Sequence, residues 1–241
     1  MLITHHDKFS ISDFINGNSQ LINEKRKVSP FVGLVRLFRN DKLISREESR
    51  NGDGILTNMT IAQGREFANQ KLFQLNTIPQ GKQDLRNYKI NGFGVGSGGS
   101  IIDTNYNIIL QGPSVADTGL YSPVEINETC LLLNSKKVVK LITSSGAGPE
   151  GAGSIEYEVN PSGETPGFYT VTKCRCIIDS TEPVRDAAGN SVSNGQSVKI
   201  DEACLYATDN DLNPIPFAHI CFAPKFIERE STFIIEWYII F

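Results

Sequence analysis

The last sixteen residues, Phe226 to Phe241 (FIERESTFIIEWYIIF), constrain this chain more than any other stretch. A soluble protein whose sequence closes on WYIIF, with no polar tail, has to bury that segment in its own core or against a partner. At period two, Phe233, Ile235, Trp237, Ile239 and Phe241 share one face, and Ile234, Glu236, Tyr238 and Ile240 the other. β-Branched and aromatic residues dominate, as a packed, pleated surface favours. A strand from Thr232 to Phe241 would span roughly 30 Å. One face is wholly apolar and the other carries a single glutamate. The pattern predicts a terminal strand buried on both sides, with Trp237 as a core anchor. Behind the segments IDEACLY and FAHICF, it is expected to close a sandwich.

The rest of the chain supports a β-rich fold. Its 21 Gly and 11 Pro gather in clusters between short apolar runs, the spacing of a sandwich or barrel. Strands are expected at Tyr88 to Val95, on both sides of a turn at Asn134 to Lys137, and at Ile155 to Val159. Further strands are expected at Phe168 to Ile178, Val198 to Tyr206 and Phe217 to Phe222. On Phe168 to Ile178, Thr170, Thr172, Cys174, Cys176 and Ile178 share a face opposite a half-solvated one of Tyr169, Val171, Lys173, Arg175 and Ile177. One helix is expected near residues 60–75, with Thr60 as cap. Ile61, Phe67 or Ala68, Leu72 and Leu75 would share its face, and Gly64 would weaken it. The fold class is mainly β: an antiparallel β-sandwich-like domain over 51–241, with that one helix and an extended N-terminal arm over 1–50. The apolar run Val28 to Phe38 reads as a strand or arm that would otherwise stand exposed.

A net charge of -4 gives no support for nucleic-acid binding. No apolar run approaches the ~20 residues a membrane span requires. The five cysteines, Cys130, Cys174, Cys176, Cys204 and Cys221, are an odd number without framework spacing. The N-terminal residues MLITHHDKFS carry no signal-peptide pattern, so reduced, buried thiols made in a cytoplasm are expected.

Candidate chemistry is sparse. Residues 94–99 match G-x-G-x-x-G, but the following SIIDTNYNIILQGPS is no helix, so a glycine turn into a long loop is expected and a dinucleotide site is not. Gly146 to Gly153 lacks the Lys-Ser/Thr of a phosphate loop and reads as a loop. Asn51 to Gly54 lacks the acidic residues of an EF-hand. Asp209 and Asp211 read as turn chemistry ahead of a cation site. His5 and His6 lie near the terminus. His219 and Cys221, two apart on one strand face, form the one pair with catalytic or metal-binding chemistry. Packing is the preferred reading of that pair, and no catalytic, cofactor or metal residues are assigned.

Several motifs occur in a fixed order. They are Asn58 to Arg65 (NMTIAQGR), Phe93 to Gly99 (FGVGSGG), Asp117 to Leu120 (DTGL) and Ile200 to Leu205 (IDEACL), followed by FAHICF and EWYIIF. Over about residues 55–241 this series resembles that of tailed-bacteriophage virion proteins. The resemblance implies a β-sandwich building block of head, neck, tail or baseplate, with no enzymatic residues. The expected function is therefore a non-enzymatic structural component of a virion, made in the host cytoplasm, in the neck or collar, tail or baseplate ahead of capsid decoration, and assembling in multiple copies with itself and other virion proteins through the N-terminal arm and the sandwich surfaces. Two rivals are a receptor- or glycan-binding module using the loops Gly96 to Pro123 and Gly146 to Gly153, with Tyr106 and Tyr121, and an enzyme centred on His219 and Cys221.

Overall fold

The computed structural model describes residues 32–48, 59–60, 62–73, 77–114, 116–142, 153–159 and 170–240. The expectations for His5, His6, residues 51–54 and residues 146–152 lie outside them. The elements in chain order begin with β1 (Val32–Arg39), β2 (Lys42–Glu48), β3 (Met59–Thr60), helix α1 (Ala62–Phe73) and β4 (Lys89–Gly96). Then come β5 (Ser100–Ile102), β6 (Ile108–Leu110), β7 (Leu131–Leu133), β8 (Lys136–Leu141) and β9 (Ser154–Val159). The chain continues with β10 (Thr170–Ile178), β11 (Ser197–Thr208), β12 (Pro214–Glu228) and β13 (Phe233–Ile240). The fold is mainly β and sandwich-like. One sheet runs β2-β1-β13-β10-β9, the other β3-β12-β11-β4-β8-β7, and β5-β6 form a separate ribbon. Among the described residues no helix is long and apolar enough to cross a membrane.

The alternation of β13 divides as its sequence dictates. Phe233, Ile235, Trp237 and Ile239 enter the core with Val35 and Leu37 of β1 and with Cys174, Cys176 and Ile178 of β10. Phe93 and Val95 of β4, Ala203 and Leu205 of β11, and Phe217 of β12 complete that core from the opposite sheet. The other face of β13 is buried too, through Ile234 and Tyr238. Its one acid, Glu236, lies 3.6 Å from Arg36 and 3.4 Å from Lys173 on the flanking strands, and accepts a 2.7 Å hydrogen bond from Tyr238.

β13 lies in the sheet that faces IDEACLY and FAHICF, in its middle, between β1 and β10. A strand apolar on both faces gains most where both edges are also paired. Its partner β1 comes from the segment read as a strand or arm, and it is a strand: Val32 to Arg39 pairs with Ile240 to Phe233 along the strand's whole length. Asn40 and Asp41, both at positive φ, close the β1–β2 hairpin, and Asn134 and Ser135 close β7–β8 in the same way, the two-residue hairpin geometry that Asn favours.

Three expectations need correction. In α1, Phe67 and Ala68 face the core, but Leu72 is 68% exposed, so the apolar face is narrower than the spacing suggested. Gly64 does not weaken the helix's place in the fold. A Cβ there would collide with the carbonyl oxygen of Phe217, so the missing side chain is what lets α1 rest on the β12 backbone. The stretch after the glycine cluster is not a long loop either. It forms the β5–β6 ribbon, with Tyr106 at positive φ in its turn and Asp103 accepting hydrogen bonds from Asn105 N and Asn107 N.

Candidate functional site

Adjacent strands β11 and β12 bring Glu202 and His219 to the middle of the larger sheet, under two loops that leave β4 and β6. The four motifs that meet here, FGVGSGG, DTGL, IDEACL and FAHICF, are each short-range features. Their meeting is a property of the fold. His219 is 0% exposed, and both of its ring nitrogens face carboxylates: Nδ1 lies 2.9 Å from Asp117 Oδ2, and Nε2 lies 3.0 Å from Glu202 Oε2. A neutral imidazole has a single N–H. The cluster therefore holds either an imidazolium between two carboxylates or a neutral ring with one protonated acid, and in both cases its net charge is -1.

That charge is met by backbone donors. Gly98 N and Ser122 N donate to Glu202 Oε1 at 3.0 and 2.8 Å, and Tyr121 N donates to Oε2 at 2.8 Å. Ser114 N and the Tyr121 hydroxyl donate to Asp117 Oδ2 at 2.8 and 3.0 Å. The Tyr121 ring packs edge-on against His219, with 4.8 Å between centroids. One position earlier on β11, the buried Asp201 accepts from Gly99 N at 2.8 Å and from Ser100 Oγ, and pairs with Lys199 Nζ at 2.7 Å. The glycines are required by this crowding: a Cβ on Gly96 would collide with Glu202 Oε1, and one on Gly99 with the carbonyl of Asp201.

The glycine cluster thus supplies N–H groups to an anion, but the anion is the protein's own. Gly98 and Gly99, the donors that a dinucleotide reading would aim at a pyrophosphate, serve Glu202 and Asp201, and β5 follows in place of a helix. Asp209 is likewise occupied within its turn, accepting from Asp211 N, Asn213 N and Asn213 Nδ2. Asp103–Asn107 and Asp186–Asn190 repeat that Asp-to-Asn closure, a recurring D-x-x-x-N spacing visible in the sequence. In all three the hydrogen bonds from the asparagine hold the aspartate below the usual carboxylate range. Among the described residues no group of three or more His, Cys, Asp and Glu is arranged to hold a metal ion.

Cys221 lies with its sulfur 3.9 Å from His219 Nε2. Together with Asp117 this has the outline of a nucleophile, base and orienter, but the nitrogen is engaged by Glu202 at 3.0 Å. Burial, then the nearby Glu202, Asp201 and Asp117 carboxylates, push the Cys221 thiol up. Neither Cys221 nor Glu202 has any exposure. Cys174 and Cys176 are buried in the core far along another sheet, with Cys174 pushed up to about 12 by burial alone. The sequence reading found His219 but not its partners, because Glu202 and Asp117 are 17 and 102 residues away along the chain. Comparison with protein families, curated proteins and solved structures finds no match to this chain.

Of the two loop tyrosines considered for glycan binding, Tyr121 covers the cluster from outside, bonded to Asp117 and packed on His219 while 40% exposed. Tyr106 stands apart at the ribbon turn, 89% exposed.

Proposed function

We propose that this chain is a non-enzymatic structural component of a tailed-phage virion, present in multiple copies in the head, neck, tail or baseplate. It meets copies of itself and other virion proteins through surfaces of the sandwich. The observation that carries this reading is the use made of the ordered motifs. The glycine cluster, DTGL, IDEACL and FAHICF meet in one junction, where the buried Glu202 and His219 hold two loops onto the sheet. Gly64 of the first motif seats α1 on the same strand, β12. The residues that carry the resemblance thus work as fasteners, as a building block requires.

The rival enzyme reading needs a reachable nucleophile, and His219 and Cys221 are both fully buried. The segment with which an arm would have reached a neighbour, Val32 to Arg39, pairs with β13 of its own chain, so the contact surfaces are sought on the sandwich itself. Electron microscopy of particles labelled with antibody against the chain tests the proposal. Label at a regular position on the particle is expected, and particles that stay unlabelled when opened and intact would overturn it.

A further inference from the structure

We propose that Lys140 and Asn127 join through their side chains in an intramolecular isopeptide bond, with Glu182 as the acid–base group that makes it. This self-modification goes beyond the assembly reading and does not rest on it. Glu182, in the loop after β10, is 2% exposed, and its carboxylate bridges the two partners. Oε2 accepts a 2.6 Å hydrogen bond from Lys140 Nζ on β8, and Oε1 accepts one from Asn127 Nδ2 in the segment before β7. The amine and the carboxamide are thus held on the two oxygens of one group. Rotation about the lysine side-chain bonds carries Nζ to the carboxamide carbon.

An ion pair alone accounts for Lys140 and Glu182, but not for Asn127. Its carbonyl Oδ1 accepts from Thr129 N at 2.8 Å, Thr129 Oγ1 at 2.7 Å and Cys130 Sγ at 3.3 Å. Three donors exceed the two lone pairs of one carboxamide oxygen and draw charge from the carbon, as the donors of an oxyanion hole do. Burial pushes the Cys130 thiol up to about 11, so it stays a donor at neutral pH. Asp179, the other acid near the amine at 3.8 Å, is more exposed, and its Oδ1 is taken by Thr181 N and Oγ1. Its own N–H donates to Glu182 Oε2 at 3.0 Å and helps to fix that carboxylate.

The reaction balances within these groups. Glu182 takes a proton from the Lys140 ammonium, leaving a neutral amine and a neutral acid, an exchange that burial assists. Nζ attacks Cγ of Asn127, and the oxyanion that forms rests on the Thr129 and Cys130 donors. Glu182 returns its proton to Nδ2, the C–Nδ2 bond breaks and ammonia leaves. The new amide nitrogen then gives its surplus proton to Glu182. One lysine ammonium and one carboxamide become one secondary amide and, once that proton is released, one ammonium ion. This is a single turnover of the chain upon itself. It closes residues 127–140 into a covalent ring around the β7–β8 hairpin, the outer edge of the six-stranded sheet. Among the described residues that hairpin is held to β4 through Gly92–Leu141 and Phe93–Lys140 alone.

Intact-mass spectrometry of the purified full chain is expected to give one ammonia less than the sequence mass. A tryptic digest is expected to yield a branched peptide joining Asn127 to an uncleaved Lys140. Lys140→Arg keeps a cation beside Glu182 and Asp179 and is expected to show the full mass. Glu182→Gln is expected to form the bond on the order of 100-fold more slowly, the worth of one general acid–base group. Near-UV circular dichroism checks that both variants are folded; where one is not, the branched peptide of the wild-type chain decides. A folded wild-type chain at the full sequence mass would overturn the proposal. So would an ammonia loss that persists in folded Lys140→Arg, one that maps to Asn127 closing on its own backbone, or an undiminished rate in folded Glu182→Gln. Each result is read on the isolated chain, so none of them bears on the virion reading.

Discussion

His219 shows what one side chain can do when it is placed between two acids. Removing it leaves the buried Glu202 and the adjoining Asp117 without their shared partner, and stranding a buried charge costs about 3–5 kcal/mol. His219→Ala is therefore expected to lower the unfolding free energy by that order, measured by urea denaturation. Cys221→Ala, which leaves the carboxylate contacts in place, is expected to cost less. Equal and small losses would mean that the ring bears no load. The thiols give a second prediction at this scale. Burial pushes Cys130 up to about 11 and Cys174 up to about 12, and raises Cys176, Cys204 and Cys221 as well. Each folded-state value lies above the unfolded one near 9, so the folded chain holds these protons when the unfolded chain has lost them. Stability is then full below pH 9 and falls above it, by about 1.4 kcal/mol per pH unit per thiol until the folded value is reached. Denaturation under reducing conditions at pH 8 and pH 10 checks the sign, and native thiols should resist Ellman's reagent at pH 8.

Among the elements, α1 offers the sharpest contrast between propensity and packing. Alanine exceeds glycine in a helix interior by about 1 kcal/mol, so Gly64→Ala would stabilise an isolated helix. Here its Cβ meets the Phe217 carbonyl, and the strain of moving α1 off β12 is expected to outweigh that gain by about 1–3 kcal/mol. A rise in melting temperature would show that the contact is slack. Elements with clean alternation were legible before the fold was seen: the faces of β10 and β13 divide residue by residue as the sequence predicts. The Asn134 turn was legible for a similar local reason. The β5–β6 ribbon was not, since its isoleucines sit on exposed faces and follow no core-facing pattern. Nor was the helix face, where Leu72 points to solvent. The site was half legible. FAHICF displays its histidine, but nothing local in DTGL or IDEACL says that Asp117 and Glu202 converge on it.

At the scale of the whole molecule, the described chain is tied together by β13. β13 supplies the centre of one sheet, with β1 and β10 paired to its two edges and Trp237 in the common core. Loss of Trp237 to Phe241 would therefore open both edges at once and empty the core at its widest residue. The truncated chain is expected to be insoluble or unfolded by near-UV circular dichroism. A folded, soluble truncation that only failed to associate would place the strand at an interface. The account's central claim, that a sandwich fastened by these motifs serves assembly and not catalysis, is tested most directly by quantitative mass spectrometry of purified phage particles. The account predicts this chain at a fixed stoichiometry of several copies per particle. Its absence from particles, or traces at varying ratio, would contradict it.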